Sequence, residues 1–85
     1  MAGITQARMN QEADYFQNVA AARSDAAAVD GERVAADPGR SDYTRACAAR
    51  AAKTARENAT EYRAIAEALR EGEIPDCLDL DALTD

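Results

Sequence analysis

Residues 43–71 contain neither glycine nor proline, and a stretch that long without a chain breaker admits little other than a helix. Within it Ala48, Ala51, Ala55, Asn58, Tyr62, Ile65 and Leu69 recur at alternating steps of three and four. That is the 3.5-residue repeat of a helix that presents one seam to a neighbour. One half of the seam is alanine, which lets a second helix approach closely. The other half, Tyr62, Ile65 and Leu69, fills a wider gap. Asn58 inside the seam is either a register-fixing buried amide or a partly exposed side chain. The predicted class is all-α: helix 2 runs over about 42–71, with Ser41 or Asp42 as its N-cap.

Asp37-Pro38-Gly39-Arg40-Ser41 is the strongest break in the chain, and helical patterning resumes on its far side. The expectation is a single helical domain over 1–85: an antiparallel two-helix hairpin, with helix 1 over about 4–36, a turn at 37–41 and helix 2. Gly31 either ends helix 1 at 30–31 or sits inside it at a cost of about 1 kcal/mol. Gly72, followed by Pro75, closes helix 2. Residues 72–85 form a helical or extended tail in which Leu78, Leu80 and Leu83 alternate with aspartates. That tail is either a lid over the open end of the hairpin or a docking peptide.

Helix 1 carries two apolar stripes roughly 100° apart on a 3.6-residue wheel. Ile4, Tyr15, Val19, Ala22, Ala26 and Val29 make the first; Met9, Ala13, Phe16, Ala20, Ala27 and Val34 make the second. A hairpin uses only one stripe. The expectation is therefore a partner or dimer interface formed by Met9, Phe16, Val19, Ala20, Leu78, Leu80 and Leu83. The other reading places both stripes on one broad core face.

Size favours association. The hydrophobic fraction is 47%, yet much of it is alanine, which removes little apolar area from water. A chain of 85 residues with so few large side chains is short of core, and small scaffolds of this kind commonly add a staple or a second copy. A four-helix homodimer is the predicted assembly. Cys47 and Cys77 cannot close a bridge within one chain. Helix 2 carries Glu71 roughly 36 Å from Cys47, and the six steps back to Cys77 span at most roughly 21 Å. No basic-then-apolar leader opens the sequence and no apolar run approaches bilayer thickness, which points to a cytoplasmic protein.

The residue set excludes most chemistry. Histidine is absent, removing the commonest general base and metal ligand. No phosphate-cradling glycine loop and no nucleophile elbow occur. The aspartates of the tail lack the spacing of a calcium loop. No enzyme, cofactor or metal is expected. The net charge of −6 argues against nucleic acid and anionic membranes as partners. One local exception is a cationic stripe, Arg45, Arg56, Arg63 and Arg70, within about 40° on helix 2. It is either an anion-binding track or a face that answers the acids of helix 1. The expected function is non-enzymatic protein–protein interaction by a small regulator of phage or mobile-element type. Such a protein would bind and inhibit a larger host protein, including by acidic mimicry of nucleic acid. A nucleotide or nucleic-acid binder using the arginine stripe and a small structural assembly subunit are the alternatives.

Overall fold

A computed structural model describes residues 4–75, and within them every regular element is helical. Helix α1 (Gln6–Tyr15) passes through a π-turn (Phe16–Ala20) into α2 (Ala21–Ala35), and these three pieces form one continuous arm. The second arm is α3 (Asp42–Arg70), 29 residues long. The arms lie antiparallel. The Gln6 amide at the start of the first donates to the carbonyls of Leu69 and Arg70 at the end of the second, at 3.0 and 3.4 Å.

Each terminus is closed by an identifiable group. Thr5 Oγ1 accepts from the Arg8 N–H at 3.1 Å, and Ser41 Oγ accepts from the Thr44 N–H at 3.1 Å, the N-cap geometry of both arms. Between them the Asp37 carboxylate accepts from the Gly39 N–H at 2.9 Å and steers the chain around Pro38. Gly72 holds φ at +84°, with its N–H on Leu69 O and the Glu73 N–H on Ala68 O. This is a Schellman close, in which a side chain at position 72 would be strained.

The π-turn determines the packing of the first arm. Ala21 N–H bonds to Phe16 O, five residues back. One extra residue in a turn advances the helix phase by about 100°. Before the turn the inward positions are Met9, Ala13 and Phe16; after it they are Ala21, Ala28 and Gly31. This corrects the assignment of Met9 and Phe16 to a partner surface. Met9 is buried with Ala13, Ile65, Ala66 and Leu69, and Phe16 packs against that cluster with Ile4 and Tyr62. The Phe16 and Tyr62 rings stack at 5.9 Å between centroids. Val19 and Ala20 are half-buried beside them. The phase shift carries the face begun by Met9, Ala13 and Phe16 of the second stripe onto Ala21 and Ala28, which belong to neither stripe, and leaves Tyr15, Ala22, Ala26 and Val29 of the first stripe exposed. Leu78, Leu80, Leu83 and Cys77 lie outside the described residues.

On α3 the seam keeps Ala48, Ala55, Tyr62 and Leu69 but moves by one position elsewhere. Ala51 and Asn58 are exposed, and Ala52 and Ala59 are the buried residues. Alanine at both 51 and 52 leaves the phase open there, but at 58 and 59 only the observed phase keeps Asn58 out of the seam. Burying 52 and 59 also brings Arg56 and Arg63 beside the acids of the first arm. Asn58 is therefore no buried, register-fixing amide within the pair. Ile65 and its neighbour Ala66 are both buried at the wide end.

Gly31 lies inside α2, so the arm runs unbroken to Ala35. A Cβ at this position would come within 2.9 Å of the Ala48 carbonyl oxygen and 3.1 Å of Ala52 Cβ. The glycine thus permits the closest approach of the arms in their alanine half. Gly31→Ala is expected to lower stability, although alanine gains about 1 kcal/mol in helix propensity. Gly31→Leu is expected to cost about 1–3 kcal/mol by overpacking. Urea denaturation checks both, and an alanine variant more stable than wild type would show that the arms separate there without cost.

Candidate interaction surfaces

The cationic stripe has acceptors within the chain along its whole length. Arg45 Nε donates to the Ala35 carbonyl at 2.9 Å, capping the C-terminus of α2. Arg56 binds both oxygens of Glu32, at 3.0 and 2.8 Å, and reaches Asp25 at 3.5 Å. Arg63 pairs with the other oxygen of Asp25. Arg70 pairs with Asp14 at 2.8 Å and also donates to Gln17. The seven-residue spacing of Arg56, Arg63 and Arg70 places all three along one edge of the seam, as in the charged flanks of paired helices. Hydrogen bonding from Arg56, reinforced by its charge, holds the Glu32 carboxyl below the usual carboxylate range, and the same contact raises Arg56. These groups are exposed, so each pair contributes little to stability on its own. Their effect is on alignment, and they leave no arginine of the stripe uncommitted for an external anion.

Arg23, Arg50 and Lys53 make no ion pair among the described residues, nor do Glu57, Glu61, Glu67, Glu71 and Glu73. The unpaired acids concentrate on the C-terminal half of α3 and just beyond it. Arg56, Glu57, Thr60, Glu61 and Ala64 line a shallow open groove, and Glu67 and Glu71 line a second one with Gln17, Arg63 and Arg70. Sequence reasoning located the arginine stripe but not this division of the acids. Which carboxylates are neutralised depends on cross-arm register.

The edge of the seam opposite the arginines has another character. Val34, Val19 and Ala68 are half-buried there, and Ala27, Ala51 and Asn58 are exposed. No cross-arm ion pair forms on that edge among the described residues. Tyr15 at 48%, Val29 at 44%, Tyr43 at 80% and Ile74 at 47% are the large apolar side chains most open to solvent. Cys47 is a free, exposed thiol on α3.

Among the described residues no group of three or more potential ligands is placed to hold a metal ion. No helix there is long and apolar enough to cross a membrane. No buried side-chain polar atom lacks a hydrogen-bond partner among the described residues, so none signals a missing ligand. No protein-family model matches the chain, and no curated protein or solved structure shows significant similarity to it.

Proposed function

We propose that this chain is a non-enzymatic protein–protein interaction module, a helical hairpin that presents an acidic outer face to a basic surface on a larger cytoplasmic protein. The observation that supports this reading is the division of charge along α3. Arg56, Arg63 and Arg70 are held by acids of the first arm, while Glu57, Glu67 and Glu71 make no ion pair among the described residues. The exposed field on that side is therefore negative. Unpaired carboxylates along one helix resemble a phosphate backbone in charge, so nucleic-acid-binding proteins are the partner class they suit. Inhibition or redirection of such a host protein by a small phage or mobile-element regulator is the concrete form of the proposal. A homodimeric state belongs to it, because the two arms alone enclose so thin a core.

The nucleic-acid-binding alternative is weakened by the same pairs, since releasing an arginine to a phosphate would leave Glu32, Asp25 or Asp14 without its partner. The test is binding of the purified chain to immobilised DNA-binding proteins, with duplex DNA as competitor, alongside direct titration of the chain with DNA. The expected result is capture that DNA displaces and that falls at least about tenfold in a Glu57→Gln/Glu67→Gln/Glu71→Gln variant, a loss of about 1.4 kcal/mol. Direct, salt-sensitive binding of the chain to DNA would overturn the proposal in favour of the arginine stripe.

A further inference from the structure

We infer that the edge of the seam opposite the arginine pairs is the interface with a second copy of this chain, and that Arg23 of each copy pairs with Glu61 of the other across a two-fold axis. The inference deepens the homodimer in the proposed function and rests on that reading, but it uses a different surface from the acidic face.

The need for a second copy comes from the core. Among the described residues, six of the nine buried hydrophobic side chains are alanine, and Leu69 is the one large side chain that is fully buried. Two helices with that interior bury little apolar area per ordered residue. The unused edge can supply more. Along the length of α3, about 43 Å, and across two helix diameters, about 20 Å, it offers about 800 Å². That matches the footprint of one partner in a standard stable interface. Small and aliphatic residues make up most of it: Val19, Ala27 and Val34 on the first arm, and Ala51 and Ala68 beside Asn58 on the second, all exposed or half-buried.

Charge indicates which partner fits. An isologous contact needs a patch that complements itself. Asp25 bonds to both Arg56 and Arg63, so residue 25 lies level with the stretch between them. In antiparallel arms, Arg23 then lies level with Glu61. Each sits two residues, about 200° of helix, from a member of the Asp25–Arg63 pair, and so borders the opposite edge. Neither has an ion-pair partner among the described residues. A two-fold axis parallel to the arms places the first arm of one copy over α3 of the other at the same level. Arg23 then meets the Glu61 carboxylate twice, over a strip of alanine narrow enough for close helix packing.

The experiment is sedimentation equilibrium of the full chain with three charge variants, each checked for helicity by circular dichroism. All altered side chains are exposed, so the fold of the pair is unaffected. Wild type is expected to be a dimer. Arg23→Glu or Glu61→Arg alone is expected to raise the dissociation constant at least about tenfold, since the axis applies each repulsion twice. The double reversal is expected to restore it to within about threefold of wild type, a difference of about 0.7 kcal/mol. A monomeric wild type would overturn the inference, as would single reversals without effect or a double reversal that fails to rescue. The Glu57→Gln/Glu67→Gln/Glu71→Gln variant should still dimerise while losing the basic partner, so the two readings fail independently.

Discussion

Leu69→Ala is expected to leave the chain largely unfolded at room temperature, read as loss of most of the helical circular dichroism signal at low protein concentration. Leu69 is fully buried at the wide end of the seam, among Met9, Ala13, Ile65 and Ala66. Leucine truncations at such sites cost about 2–5 kcal/mol through lost transfer energy and the cavity left behind. A chain of this length has about 4–13 kcal/mol of stability in total, and one whose interior is mostly alanine belongs at the low end. The site also has little means of relaxing, because its neighbours are held by both arms and the Leu69 carbonyl is fixed by Gln6 and Gly72. The same truncation at exposed Val29 should be nearly silent and serves as the control. A Leu69→Ala protein that melts within a few degrees of wild type would show that the wide end is not the main source of stability.

Two single-residue deletions should have opposite outcomes. Removing Asn18, which is exposed inside the π-turn, takes out the extra residue that the turn accommodates. Phe16 and Ala21 become four positions apart, the arm becomes α-helical throughout, and both halves keep their faces toward α3. The melting temperature is expected to stay within about 5 °C, equivalent to about 1 kcal/mol. Removing Ala26, equally exposed but past the turn, rotates Ala28, Gly31 and Val34 about 100° away from α3 and takes Glu32 from Arg56. That loss is expected to exceed about 15 °C. Equal melting temperatures for the two deletions would refute the role given to the π-turn in matching the phases.

The helical class, the break at Pro38 and Gly39, the N-cap at Ser41 and the close at Gly72 were all legible in the sequence. Each depends on local chemistry: a fixed φ, a missing Cβ, or a hydroxyl three residues before an N–H. The gradation of the seam from alanine to Tyr62, Ile65 and Leu69 was legible as well. The phase of that seam was not, because Ala51 and Ala52 are equivalent to any periodicity argument. Keeping Asn58 outside the seam and bringing Arg56 and Arg63 to Asp25 and Glu32 both select position 52. The two stripes of the first arm were drawn on an unbroken α-helical wheel, and past the π-turn the buried residues Ala21 and Ala28 belong to neither. A pattern that slips by one residue can mean two faces, or one face with a π-turn in it, and Phe16-Gln17-Asn18-Val19-Ala20 contains nothing local that announces the second. The arginine stripe posed the same difficulty, since its alternatives differ only in what stands across from it.

The uneven seam also bears on the order in which the chain closes. Near the turn, Arg45 meets Ala35 across ten residues, where ring closure is entropically cheap but only alanine and glycine pack. At the far end, Gln6 meets Leu69 across 63 residues, where closure costs about 1.6 kcal/mol more and the aromatic and leucine contacts are found. Contact strength therefore rises along the arms in the same direction as the entropic cost of bringing them together. A zipper graded in this way starts where little is lost on opening again and locks where reversal is hardest, so early mistakes in register stay correctable until the last turns engage.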